Sequence, residues 1–192
     1  MSTGEQATSL RLEGERVYLR LATNSDAENF LKFYRDNESH LAPWDPIKPE
    51  NFFTIEFWQA YAERLQLEYQ NQSSLRLSLF YKENNLMIGG VNFTGFERGP
   101  FQNCRLGYKI HHTYEGQGLM FEGLKLALKH LFDEYNFHRC EANYITDNAR
   151  SGKLLERLGF EKIGVSKNYL HIAGKWQDHM TTACINPSFT DF

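Results

Sequence analysis

"HHTYEGQGLMFEGLKLALKHLF", residues 111–132, carries the chain from a strand-like alternation through a glycine-punctuated turn into a long helical pattern. Just before it, "CRLGYKI" sets Cys104, Leu106, Tyr108 and Ile110 against Arg105, Gly107 and Lys109, the period of two of a strand with one buried face. After the turn, Met120, Leu124, Ala127, Leu128, Leu131, Phe132 and Tyr135 recur at three- and four-residue steps, which predicts an amphipathic helix beginning near Leu119. Gly116 and Gly118 leave the backbone between them uncovered, and the first helical N–H groups have no partner inside the helix. Such donors, backed by the helix dipole, favour an anion. The same glycines also suit a turn that needs them only for its own geometry. The stretch lacks the G-x-x-x-x-G-K-[ST] of a nucleotide loop and the G-x-G-x-x-G of a dinucleotide fold, but a diphosphate remains compatible with it.

Outward from this stretch the periodicities give an order of elements. "RVYLRLA" reads as a strand, and the run from Asp26, with Ala27, Phe30, Leu31 and Tyr34, as an amphipathic helix. The loop "SHLAPWDPIKPE" carries three prolines, and residues 54–69 place Phe57, Tyr61, Leu65 and Tyr69 on one side of a second helix. The strands "LRLSLFY" and "MIGGVNFTGF" precede the one already described. Beyond the long helix, "RCEANYI" alternates and "ARSGKLLERLGF" is a short helix closed by Gly159; "VSKNYLHI" and "KWQDHMTTACI" pair across "AGK". The predicted order is β-α-α-β-β-β-α-β-α-β-β, an α/β protein on a mixed sheet.

The 192 residues are 41% hydrophobic and 15% aromatic, with no linker, charge block or repeat, so one domain over residues 1–192 is expected. No stretch is apolar enough to span a bilayer and the first residues lack a signal-peptide core, so a soluble cytoplasmic protein is expected. Cys104, Cys140 and Cys184 are widely spaced without a C-x-x-C, against a disulfide framework or zinc site. His111, His112 and Glu115 suggest a metal only on paper, because neighbouring strand residues point to opposite faces. No metal is expected. A formal charge of −3 gives no reason to expect nucleic acid as the ligand.

"EGQGLM" resembles the acetyl-coenzyme A pyrophosphate loop, Q/R-x-x-G-x-G/A, of the GNAT acetyltransferases, and the order of elements is that of the GNAT acyl-CoA N-acyltransferase fold. Glu115 and Met120 depart from the loop pattern, and a carboxylate beside a pyrophosphate is repelled by about 1 kcal/mol even in water, so Glu115 is expected to point away. "APWDP", "GGVNFTGFERGPF", "LGYKI", "GQGLMFEGL", "HRCEANYITDNARSGKLLERLGFEK" and "YLHIAGKWQDH" resemble, in one order, the ribosomal-protein-alanine branch of that family. The resemblance implies transfer of acetyl from acetyl-coenzyme A to the N-terminal alanine of a small-subunit ribosomal protein, with contact to an assembling ribosome as a further partner. Two alternatives stay open: a small-molecule amine acceptor (polyamine, antibiotic or metabolite), and a non-enzymatic ribosome-assembly module.

Acetyl transfer from a thioester needs a neutral amine and a donor for the departing thiolate, but no acyl-enzyme; an α-amine with a pKa of about 7.7–8.0 is partly neutral already. The resemblance implies that Ile110, Gly116, Gln117, Gly118, Leu119 and Met120 hold the coenzyme, that Asn148 bonds its pantetheine arm, and that Ser151 is the donor. Leu155 stands four residues on, where other members carry the acidic tyrosine. Asn148 and Ser151 are equally ordinary at a helix start. For the base, Asn143, expected to face the acceptor, occupies a position where some members have glutamate; Asp45 in "PWDP", a loop that the resemblance sets beside the peptide, Glu97 and Glu141 are the carboxylate candidates. Trp44 could wall a peptide groove. Asp178 and His179 have no G-x-S-x-G serine to join, so they are expected to be structural or peptide-facing.

Overall fold

A computed structural model describes residues 10–190. The first nine residues, read above for a leader, and the last two lie outside it. The chain forms β1 (Arg11–Glu13), β2 (Val17–Leu21), α1 (Ala27–Asp36), α2 (Glu38–Leu41), α3 (Ile55–Gln70), β3 (Leu75–Tyr81), β4 (Leu86–Glu97) and β5 (Asn103–Ile110). Then follow α4 (Leu119–Tyr135), β6 (Arg139–Ile145), α5 (Ala149–Arg157), β7 (Glu161–Ile172) and β8 (Lys175–Ile185). These eight strands make one sheet in the order β1-β2-β3-β4-β5-β6-β8-β7, antiparallel except where β5 meets β6.

Alternation decides what each sheet face buries. Leu19, Leu77, Val91, Leu106 and Ala142 point to one face, where Leu124, Ala127 and Leu131 of α4 and Leu155 of α5 pack on them. On the other face Tyr18, Phe80 and Met87 meet Phe30 and Phe33 of α1 and Trp58, Ala62 and Leu65 of α3. Trp58 is 1% exposed and stacks on Tyr34 and Phe30 with ring centroids 4.6 and 5.5 Å apart, so α1 and α3 form an aromatic clasp. Helix α3 starts where Thr54 accepts from the Phe57 amide; α4 is bracketed by Gly118 and Asn136, both left-handed.

The predicted order holds, with two added elements and one strand that starts earlier. β1 is three residues long and too short to show a period. The proline loop contains the single turn of α2. β7 starts at Glu161, ahead of the predicted Val165, because register shifts near Gly164 and between Ser166 and Leu170 break its alternation.

Candidate functional site

β5 and β6 pair only from Asn103 with Arg139 to Leu106 with Ala142, although β5 runs on to Ile110 and β6 to Ile145. Past Leu106 the strands part, leaving the backbone of residues 107–110 without a strand partner on that side. A groove of about 430 Å³ lies there, bordered by Tyr108, Lys109 and Ile110 from β5 and by Asn148 and Ser151 at the start of α5.

The glycine turn lines the groove. Gly116 and Gly118 have φ of +72° and +78°, which L side chains rarely adopt, and nothing within 4 Å would meet a Cβ at Gly116. The amides of residues 116–120 find no acceptor among the described residues. Arg16 fixes the turn from behind, donating at 3.0 Å to the Gln117 carbonyl and pairing with Glu122 at 3.1 Å; the Gln117 side chain donates to the Thr113 carbonyl at 2.8 Å. The carbonyls are thus held back and the amides left forward. Lys153 and Arg157 of α5 line the same groove. A ligand with a pyrophosphate and a long neutral arm, such as acetyl-coenzyme A, fits this set of donors.

Ser151 and Asn148 line the groove from the start of α5. The Asn148 side-chain oxygen accepts from the Ser151 amide at 3.1 Å and so caps α5; its side-chain nitrogen has no partner among the described residues. The Ser151 hydroxyl caps nothing: it lies 2.6 Å from the Tyr108 hydroxyl, across the parting of the strands. Burial pushes the Tyr108 phenol up to about 12, against the opposing effect of its bond to Ser151. Gly152 sets the spacing, since a Cβ there would fall 2.8 Å from the Tyr144 hydroxyl and drive α5 off β6.

The α2 turn and the loop after it add His40, Leu41, Trp44 and Asp45 to the lining. Asp45 accepts from the Lys109 ammonium at 2.8 Å, and its backbone carbonyl accepts from the Ala173 amide, docking the β7–β8 turn against the loop. Burial alone would lower the Lys109 pKa, but Tyr34 and Asp45 outweigh it and hold the ammonium above its ordinary value. Trp44 is 40% exposed at the rim, so it is not a core tryptophan.

Two expectations are corrected. Glu115 does not point away: it lines the groove, clasped by Arg150 at 2.6 Å and His40 at 3.1 Å, so its charge is met by a cation from α5. His111 and His112 do not face apart, because a helical turn begins at His112 and their rings stack with centroids 4.6 Å apart. Both are engaged, His112 by Asn37 and His111 by Thr113. Among the described residues no group of three metal-ligating side chains converges.

Several candidates lie elsewhere. Glu97 pairs with Arg105 at 3.1 Å opposite Asn103, at the far end of β5 from Ile110, and Glu141 pairs with Arg139 at 3.0 Å; neither lines the groove. Asn143 donates to the Tyr169 hydroxyl at 3.1 Å, leaving its own oxygen buried without a partner among the described residues. Asp178 is spent on Lys167 and the Asn168 amide, at 2.6 and 2.9 Å, where it holds the irregular part of β7. His179 is buried, with its Nδ1 3.0 Å from the Gln177 carbonyl. Sequence reading missed Tyr108, Lys109 and the α5 cations. Arg150, Lys153 and Arg157 did leave a signal, a basic stripe at helical spacing; Tyr108 left none, since an alternating aromatic reads as core.

Together these residues line one groove with a turn of uncovered amides, a hydroxyl, a side-chain amide and a carboxylate. That arrangement can bring the tail of an anionic ligand to an amine. Residues 16–161 match the Acetyltransferase (GNAT) domain. The chain is 39% identical over 181 residues, 94% of its length and 93% of the relative's, to the [Ribosomal protein uS5]-alanine N-acetyltransferase of Escherichia coli K12. The crystal structure of the ribosomal-protein-S5-alanine acetyltransferase from Vibrio fischeri superposes with a TM-score of 0.91 at 33% identity, over 95% of this chain and 100% of that one. A Mycobacterium smegmatis RimJ solved with CoA-disulfide, 23% identical, shares the fold at a TM-score of 0.87 over 95% of this chain and 90% of its own. The chain belongs to the GNAT acetyltransferase family.

Proposed function

We propose that this acetyltransferase moves the acetyl group of acetyl-coenzyme A to the N-terminal α-amine of a protein, the N-terminal alanine of a small-subunit ribosomal protein, in the cytoplasm, with residues 1–192 acting as one domain. The observation that carries the reading is the groove where β5 and β6 part, which is lined by the turn of residues 116–120, by Ser151 and by Asp45. The likeness to two ribosomal-protein alanine acetyltransferases over nearly the whole chain supports the choice of acceptor.

The thioester supplies the activated acetyl group, and the residues position it. The amides of Gly116, Gln117, Gly118, Leu119 and Met120 hold the pyrophosphate, while the Asn148 side-chain amide and the unpaired backbone of Ile110 hold the arm. Ser151 donates to the sulfur as charge develops there. Asp45, already bound to Lys109, steers the acceptor's amine, and Trp44 walls the peptide at the rim. An α-amine is neutral often enough near pH 7 for water to take its proton, so no dedicated base is required.

The test is mass spectrometry of ribosomal-protein N-termini from cells with and without the gene, beside purified enzyme given acetyl-coenzyme A and an alanine-initiated peptide. One alanine-initiated small-subunit protein should lose its acetyl group in the deleted strain, and the peptide should be acetylated. Unchanged N-termini together with turnover of polyamines alone would overturn the acceptor assignment.

A further inference from the structure

The Ser151 hydroxyl is not free to choose its partners. Tyr108, forty-three positions earlier in sequence, reaches across the parting of β5 and β6 and lies 2.6 Å from Ser151 Oγ, shorter than the usual O–H···O distance of about 2.7–2.8 Å. Its next acceptor, the Ser151 carbonyl, is 3.4 Å away. Both partners border the groove. A phenol is far more acidic than an aliphatic alcohol, so the favoured arrangement has Tyr108 donating and Ser151 accepting. With Oγ accepting from Tyr108 and the Ser151 amide tied to Asn148, the serine's own hydrogen is left to turn into the groove.

We propose that Tyr108 is a positioning residue for acetyl transfer: its phenol donates to Ser151 Oγ, which aims the Ser151 O–H at the sulfur of the departing thiolate and makes it a stronger donor. As the C–N bond forms and the C–S bond breaks, the electron pair of the latter stays on sulfur and the amine's proton goes to water. Ser151 and Tyr108 give up no proton; their aligned hydrogen bonds strengthen together as the sulfur becomes negative. Tyr108 is partly buried, and that burial raises its pKa and keeps the phenol protonated at working pH, as this role needs. The inference rests on the reading of Ser151 as the donor to sulfur.

The test compares wild type, Tyr108→Phe, Ser151→Ala and the double variant in kcat, both KM values and the melting temperature. A second readout is the pH titration of the thiol of bound coenzyme A, followed by thiolate absorbance. Losing one hydrogen bond worth about 1–1.5 kcal/mol should lower kcat of Tyr108→Phe about tenfold. Both KM values should stay near normal and the double variant should be no slower than Ser151→Ala. In wild type the bound thiol should ionise below the free value of about 8.5, and each single variant should move it back up. A slow Ser151→Ala beside a normal Tyr108→Phe would overturn the role of Tyr108 and leave Ser151 standing. Normal kcat in Ser151→Ala would overturn both. Additive losses would show Tyr108 acting other than through Ser151, and a fall in melting temperature without change in kcat or thiol titration would make the bond merely structural.

Discussion

Replacing Gly118 by valine tests the anion turn most directly. Gly118 holds φ at +78°, and a side chain there strains the backbone by about 1–2 kcal/mol, at the upper end for a β-branched residue. There is no steric clash to add, because the nearest atom to a new Cβ is Arg16 Nη2 at 3.5 Å. Gly159 is the internal control. It has φ of +86°, open space around it, and lies after α5, away from the groove. Each valine should therefore cost about 2 kcal/mol and lower the melting temperature by about 4–8 °C in a chain of this size. They should differ in ligand affinity. Relief of strain at Gly118 turns the neighbouring amides away from the groove, and each charge-assisted hydrogen bond lost is worth about 1.5–3 kcal/mol, or about tenfold to a hundredfold in affinity. Isothermal titration with coenzyme A should thus show at least tenfold weaker binding for Gly118→Val and unchanged binding for Gly159→Val. If both variants bind equally well while both lose stability, the turn is a mere chain reversal and the pyrophosphate rests elsewhere.

Acid should expose the Asp26 anchor at the start of α1. Buried Asp26 accepts from Arg20 at 2.6 and 2.7 Å, from the Thr23 amide at 2.7 Å and from Asn29 at 2.9 Å; burial pushes its pKa up, but these bonds outweigh it and bring it down to about 2. A depressed carboxylate stabilises the fold above its unfolded pKa of about 3.9 and loses that contribution, about 2 kcal/mol, as pH falls towards about 2. Urea unfolding of wild type and Asp26→Asn from pH 6 to pH 2 should show their difference shrinking across that window; a constant difference would refute it. Direct transfer also predicts no acyl-enzyme: Cys104 and Cys140 are buried, and burial followed by the neighbouring Cys104 pushes the Cys140 thiol up. Labelled acetyl-coenzyme A without acceptor should leave the denatured protein unlabelled, and stoichiometric label on a cysteine would overturn direct transfer.

What the sequence determined by itself is what rests on neighbours along the chain. The period of two in "CRLGYKI" and "RCEANYI" and the helical spacing after Leu119 reflect which face each side chain turns to its own element's partner. The glycine turn was legible because it needs positive φ at fixed positions and its unpaired amides follow from a helix start alone. The tertiary structure decided everything that depends on which distant elements meet. Asp45 and Lys109 are sixty-four positions apart, so their ion pair exists only once the proline loop folds onto β5. Glu115, a misfit in the loop by pattern, is accommodated because the start of α5 delivers Arg150 to it. Glu97 and Glu141 satisfy any rule that asks for a carboxylate on a central strand, yet the register of β4, β5 and β6 sets them among arginines and outside the groove. Ser151 and Asn148 divide the same way. Both are ordinary cap residues in sequence, and only the parting of β5 from β6 assigns the cap to Asn148 and carries the Ser151 hydroxyl to Tyr108, since helix capping is satisfied locally while a bond across a sheet is fixed by strand pairing.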